Sequence, residues 1–248
     1  MLKMNKNLIV SAVGDNSLHE KWVGSDSIDL FLIYYGDNKE NLKKYKSEST
    51  YFLNIKTKSK YEFLKEIITD NFEKIQQYSY IWLPDDDLDI DIKDIEEMFL
   101  IMEKYDLWIA QPSVVNNVNL PITANKPDSD MRFTNFVEVM APAFKKEIML
   151  YLSHTFGATE SMWGMEHVWN ALLGAPKNKI SVIDKIIMKH TKTTGSDYSR
   201  FKTSPYVERK ELWDKHMTLL TKTNSLEWYN KIESFENLNK IKGENIIG

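Results

Sequence analysis

Tyr78-Ser79-Tyr80-Ile81-Trp82-Leu83-Pro84-Asp85-Asp86-Asp87 runs an apolar strand straight into three consecutive carboxylates, and the fold is read outward from this stretch. Pro84 has no N–H to give to a sheet ladder, so the strand stops there. The aspartates are therefore expected just past the carboxyl end of a central strand, the edge at which open α/β sheets bind ligands. Three adjacent like charges repel, and keeping them ionised together favours a cation held among them. A solvated acidic turn capping the next helix is the plainer alternative.

Around this stretch, short apolar runs alternate with helix-period segments, as in a sheet fed by crossover helices. Leu8 to Val13, Asp29 to Tyr35 and Tyr51 to Ile55 read as buried strands, the first two ending in the turn residues Gly14-Asp15-Asn16 and Gly36-Asp37-Asn38. Tyr61, Leu64, Ile68, Phe72 and Ile75 recur at helical spacing, and Ser59 with Glu62 forms a capping box, predicting one helix over 59–77. Asp91 is placed to cap a helix whose core face is Ile95, Met98, Phe99 and Met102. Leu107 to Ala110 and Phe133 to Met140 read as strands, with a long loop from Asn116 to Asp130 between them. A short helix from Lys145, a helix from Glu166 to Leu173 and a β segment from Ile180 to Met188 follow. Beyond Pro205 the Lys/Glu-rich chain with Trp213, Leu219, Leu226, Trp228 and Phe235 predicts amphipathic helices. The expected layout is an α/β domain over 1–200 with a C-terminal helical extension over 201–248 packed on it.

The chain has 248 residues and no Cys, which excludes disulfides and thiolate metal sites and leaves carboxylates, His, carbonyls or water for any metal. A net charge of -4 argues against nucleic acid, since phosphate-backbone binding needs a basic excess. The apolar run Leu8 to Val13 is too short for a signal peptide or a membrane span, so a cytoplasmic protein is expected, with peripheral contact at the inner face of the membrane left open. Acidic residues cluster from Pro84 to Asp106 and basic ones from Pro176 to Lys202. If the two stretches meet, a cation site would adjoin an anion site, as a metal-bound diphosphate requires.

Other residues suit such a ligand. Lys56, Lys58 and Lys60 alternate before a capped helix, where ammonium groups and helix amides can meet an anion, although plain surface explains them too. Asp15, Asn16 and Asp37 could meet a base or ribose, or simply make turns. Trp163 could stack on a sugar ring and Glu166 could act as general base for a hydroxyl; helix N-terminal acid preference accounts for Glu166 equally well. His190, among Lys185, Lys189 and Lys192, could ligate a metal or meet a diphosphate. No Gly-rich phosphate loop, Gly-x-Ser-x-Gly elbow or His-Glu-x-x-His helix is present, so kinase and hydrolase readings lack their parts.

Val13-Gly14-Asp15 through Ser17-Leu18-His19 and Trp22, Tyr35-Gly36-Asp37, Trp82 to Asp87, Gln111-Pro112-Ser113, Arg132-Phe133-Thr134, Phe136 to Pro142, Trp163-Gly164, and Asp184 with His190-Thr191 together resemble a domain-of-unknown-function family, number seven hundred and seven, that looks like GT-A glycosyltransferases. The resemblance covers roughly residues 7 to 195. It implies a GT-A-like nucleotide-binding sandwich with a mostly parallel central sheet flanked by helices. It also implies an Asp-x-Asp motif: Asp85 near the ribose or a metal-bound water, Asp86 in the variable middle place, and Asp87 ligating Mn²⁺ or Mg²⁺ on the donor diphosphate. His190 would complete the metal shell, making Asp85, Asp87 and His190 the expected metal ligands. Glu166 falls where an acceptor-side acid is found in similar inverting enzymes, although many of those have Asp there, which keeps Glu138 and Glu160 open as alternatives.

The expected activity is metal-dependent transfer of a sugar from a nucleotide-sugar donor to a glycan or lipid-linked acceptor, in surface polysaccharide or glycoconjugate synthesis. A Mg²⁺-dependent phosphotransferase or nucleotidyltransferase, or a non-catalytic sugar- or nucleotide-binding module, are the alternatives.

Overall fold

In the computed structural model, which describes residues 6–56, 59–70, 72–192, 202–220 and 237–241, the apolar runs become strands of one sheet. β1 (Lys6–Val13), β2 (Ile28–Tyr34), β3 (Tyr51–Asn54) and β4 (Tyr78–Trp82) form a parallel run ordered β3-β2-β1-β4. Along β1 and β2 the side chains alternate, Ile9, Val13, Leu30 and Leu32 burying on one face and Leu8, Val10, Phe31 and Ile33 on the other; in β4 a register irregularity against β1 leaves Tyr80 and Trp82 with the first set and Tyr78 and Ile81 with the second. Both faces are covered, which is why these strands read as continuous apolar runs.

Helix α1 (Lys39–Glu48) begins at Asn38, whose side chain accepts the N–H groups of Glu40 and Asn41. Helices α2 (Lys60–Asp70) and α3 (Phe72–Gln76) follow β3, and α4 (Ile92–Lys104) follows the acidic turn. Ile95, Met98, Phe99 and Met102 of α4 pack on the first face, and Tyr61, Phe63, Leu64 and Ile67 of α2 on the second. Each such side chain contributes roughly 1.5–3 kcal/mol on burial.

The other half of the sheet comprises β5 (Leu88–Asp89), β6 (Ile109–Val115), β7 (Met131–Thr134), β8 (Ala143–Lys145), β9 (Ile180–His190) and β10 (Asn237–Ile241). The full order is β10-β7-β9-β6-β8-β4-β1-β2-β3, with β5 beside β9. β6 and β9 are parallel, and the other pairings of this half are antiparallel, so the sheet is parallel on one side and mixed on the other. Three further α-helices, α5 (Lys146–Leu152), α6 (Met165–Leu172) and α7 (Pro205–Leu220), and two short 3-10 helices, His19–Trp22 and Ser153–Thr155, complete the described elements. No helix among the described residues is long and apolar enough to cross a membrane.

Several expectations are corrected. The helix expected over 59–77 is described as helical over Lys60–Asp70 and Phe72–Gln76, with position 71 outside the described residues, and Phe72, expected in its core face, is 43% exposed. The capping box does form: the Ser59 N–H donates to Glu62 Oε2 at 2.8 Å and the Glu62 N–H to Ser59 Oγ at 3.3 Å. Asp91 occupies the N-cap of α4 without making a side-chain cap bond. β3 is only half-buried because it is the edge strand. The strand expected over 133–140 ends at Thr134, and Phe136 to Met140 forms a buried irregular segment held by side chains rather than a ladder. β8, three residues inserted between β4 and β6, is too short to show a period in sequence. The tail is not purely helical, since β10 joins the sheet beside β7; its Asn-rich sequence has little intrinsic strand preference.

Candidate functional site

The acidic turn and the basic stretch do meet. Leu88 pairs with His190 across β5 and β9, and Thr191 donates its N–H (3.2 Å) and hydroxyl (2.7 Å) to the Asp87 carbonyl. Around this junction lie the C-terminal ends of β1, β2 and β4, so the parallel half of the sheet delivers its loops to one edge.

The three aspartates have three different roles. Asp86, 8% exposed, turns inward: its Oδ2 accepts the Gly14 N–H at 2.8 Å and the Tyr35 hydroxyl at 3.2 Å, and its carbonyl accepts the Leu18 N–H at 2.8 Å. Expected at the donor, it instead fastens the β4 turn to the loops after β1 and β2. Burial, reinforced by this carboxylate, pushes the Tyr35 phenol well up, keeping it a donor. Asp85 is half-buried, and one of its oxygens is engaged by Lys60 Nζ at 2.7 Å.

Asp87, 9% exposed, has its Oδ2 3.7 Å from His190 Nε2 and 3.8 Å from Lys192 Nζ. Its Oδ1 is buried without a hydrogen-bond partner among the described residues. Burial raises its pKa, and Asp85 adds to the rise while His190 and Lys192 oppose it. His190 Nδ1 faces the Asn117 carbonyl at 3.1 Å, an oxygen that only accepts, so Nδ1 carries a proton. In the neutral ring Nε2 is then a lone pair aimed at a carboxylate. Two facing acceptors call for a cation or proton between them. Asn117 Nδ2 closes the frame by donating to the His190 carbonyl at 2.9 Å, on a loop where Asn116 and Asn117 both take positive φ, 56° and 40°.

The expected anion and nucleotide ligands divide differently. Lys60 is buried, and its ammonium donates to the carbonyls of Leu83 (2.7 Å) and Met140 (3.1 Å) as well as to Asp85, so it props the acidic turn from beneath and has no donor left for a phosphate. Lys58 lies outside the described residues. The Asp15 carboxylate is taken up by the Tyr34 hydroxyl, the N–H groups of Asp37 (3.0 Å) and Asn38 (3.2 Å), and Asn41 Nδ2 (3.2 Å). Those donors hold its pKa down at about 2, the Tyr34 bond foremost, and leave it a loop fastener rather than a ribose ligand. Asp37 is on the exposed rim, paired with Lys56. Trp163 is half-buried, edge-on to Tyr206 at 5.5 Å.

Glu166 sits at the start of α6, 7% exposed, with Oε2 accepting the Gly164 N–H at 3.0 Å. Burial pushes its pKa up to about 8, with Glu138 adding to the rise. The folded chain thus binds this proton more tightly than the unfolded one. Its stabilising contribution is full below about pH 4.5 and is lost as pH rises through about 8. Glu166→Gln, which mimics the protonated acid, should match the wild-type Tm near pH 4.5 and exceed it by several degrees above pH 8, at about 2–4 °C per kcal/mol. Thermal melts at constant ionic strength check this, and parallel Tm curves would contradict it.

Glu138 completes the buried acids. It is 6% exposed, bonded by the Thr123 hydroxyl and by Asn119 Nδ2 at 3.0 Å, and its pKa is raised by burial against those two bonds. His190 and Asp85 lie near enough to act on it. The long loop over 116–130 is therefore part of the site: Asn117 orients His190, and Asn119 and Thr123 hold Glu138. Loop composition alone gave no hint of those partners. Lys192, two places beyond His190, was readable only as one of several basic residues. Glu160, the third candidate base, is exposed.

Among the described residues no group of three or more His, Cys, Asp or Glu side chains is arranged to hold a metal ion. Asp87 and His190 form the pair that could contribute to one. Cavities of about 370 and 300 Å³ lie elsewhere, beside Glu62 and Phe156 and beside Trp22 and Thr50. Buried polar groups, rather than concavity, single out the acidic turn.

The profile of a family described as "Protein of unknown function (DUF707)" matches residues 3–135, a span that contains the acidic turn and stops short of Glu138, Glu166 and His190. No curated protein matches the sequence.

Proposed function

The chain belongs to the DUF707 family, and we propose that this member is a metal-dependent glycosyltransferase that moves a sugar from a nucleotide-sugar donor to a hydroxyl acceptor. One observation carries the reading: Asp87, at the edge of the parallel strands, keeps a buried carboxylate oxygen unbonded among the described residues while its other oxygen faces His190 Nε2. The GT-A-like assignment draws its support from the run β3-β2-β1-β4 and the Asp-x-Asp turn that follows β4.

Asp87 and His190 fit a divalent ion, Mn²⁺ or Mg²⁺, of the kind bound by one or two protein ligands together with substrate phosphates and water. When bound, such an ion supplies positive charge to the departing diphosphate. The chain's residues do the rest. Asp86, Gly14 and Lys60 hold the acidic turn in place, and Lys192 adds a cation beside the same edge. In transfer, the bond between the anomeric carbon and the phosphate oxygen breaks, and a bond from that carbon to the acceptor oxygen forms. In an inverting reaction Glu166 takes the acceptor's hydroxyl proton, its working form being the ionised one. The products are the glycoside and the nucleoside diphosphate.

Thermal-shift measurements with a panel of nucleoside diphosphates, with Mn²⁺ and then with chelator, test the donor half. One diphosphate should raise Tm only when the metal is present, by about 2.7 kcal/mol of added stability at a hundredfold excess over Kd. A rise indifferent to chelation, or none across the panel, counts against the proposal.

A further inference from the structure

Helix α7 is anchored by Leu212 and Trp213, both buried in the core that also holds α2 and α6. Its first turn reaches the segment that leads into α6. The Glu208 carboxylate accepts the Glu160 N–H on one oxygen and the Ser161 N–H on the other, each at 2.9 Å. Ser161 Oγ in turn accepts the Trp163 N–H at 3.3 Å, and the Thr159 hydroxyl donates to the Trp163 carbonyl at 3.0 Å. Tyr206 meets the Trp163 ring edge-on, and a Cβ on Gly164 would lie 2.8 Å from the Arg209 Cα, so only glycine lets α7 approach so closely.

The segment so gripped has internal bonds of its own and also carries backbone strain. Met162 sits at φ 67° and Gly164 at φ 100°, both left-handed, and a methionine there is sterically disfavoured. A carboxylate shared by two successive backbone N–H groups is a charge-assisted clamp strong enough to impose such a turn. The Gly164 N–H at the end of this turn is the one that bonds Glu166.

We infer that Glu208 is a positioning residue: by clamping the amides of Glu160 and Ser161 it sets the turn that places Trp163 and Glu166. The acceptor-side meaning of this placement rests on the glycosyltransferase reading, whereas the clamp can be tested with no substrate. The tail would then be part of the site's framework.

The test compares full-length wild type, Glu208→Gln, Glu208→Ala and, as a control on the same helix, the exposed Glu211→Ala. Amide hydrogen exchange and the carboxyl ¹³C titration of Glu166 are the readouts. Glu208→Ala should speed exchange at Glu160 and Ser161 by about tenfold or more, leave β1 and β4 unchanged, and move the Glu166 titration down from about 8, because opening the turn relieves the burial that is the largest cause of its rise and outweighs loss of the Gly164 bond that opposes it. Glu208→Gln keeps one acceptor oxygen and should fall between, and it carries the test if Glu208→Ala does not fold. Glu211→Ala should do neither. Exchange that accelerates uniformly, or a Glu166 titration that stays in place, overturns the proposal and leaves Glu208 a merely stabilising contact. A wild type that turns over no nucleotide sugar would defeat the functional reading and leave the exchange and titration results to judge the clamp.

Discussion

Asp87→Ala is expected to lower metal-dependent donor turnover by on the order of a thousandfold while the chain stays folded. The catalytic loss follows from removing the carboxylate that faces His190. The survival of the fold follows from the cost of that carboxylate when alone: burial and Asp85 raise its pKa, and its Oδ1 has no hydrogen bond among the described residues. A group whose pKa rises on folding holds its proton more tightly folded than unfolded, so the fold disfavours the ionised form of Asp87. Removing it should leave the metal-free Tm level or slightly higher and abolish the Mn²⁺-dependent gain. Donor turnover and Mn²⁺ titrations on wild type and variant measure both effects. Full turnover by the variant would end the mechanism.

Arg132→Ala is expected to destabilise the fold by about 3–5 kcal/mol. Arg132 and Asp184 are an ion pair with both side chains fully buried, Nε to Oδ2 at 2.7 Å and a second guanidinium nitrogen to Oδ1 at 3.0 Å. The guanidinium also donates to the carbonyls of Ile122 and Ala124, and Asp184 accepts the Lys126 N–H at 2.9 Å. Losing Arg132 would strand a buried carboxylate and free the loop that carries Asn117, Asn119 and Thr123. Activity should fall with stability, because that loop orients His190 and bonds Glu138. Replacing both partners by apolar residues, as in Arg132→Met with Asp184→Leu, should recover most of the stability, since two desolvated charges are then removed together. Denaturant unfolding measures this, and a loss below about 1 kcal/mol for Arg132→Ala would show the pair to be incidental.

The parallel half of the sheet was legible because burial on both faces of β1, β2 and β4 leaves long apolar runs, and because Pro84 marks where the ladder must stop. The capping box at Ser59 was equally legible, since its two residues are three places apart and need only each other. The 136–140 segment was misread as strand because its apolar residues satisfy burial without satisfying a ladder. Lys60 was misread as a phosphate ligand because its position at a helix start is a local fact, whereas its partners Leu83, Asp85 and Met140 are not.

By itself the sequence determined that an acidic turn follows a strand, that no thiolate can hold a metal, and that a basic stretch exists which could meet that turn. Only the tertiary structure decided that Asp86 faces inward, that Asp87 faces His190, and that Lys60 lies beneath the turn. Strand runs and caps depend on neighbours within a few residues, so local physics suffices to read them. A carboxylate's role depends on which donors reach it, and here Gly14 reaches Asp86 across 72 residues and Thr191 reaches Asp87 across 104. Partners at such separations are set by how the sheet folds, and no local preference encodes them.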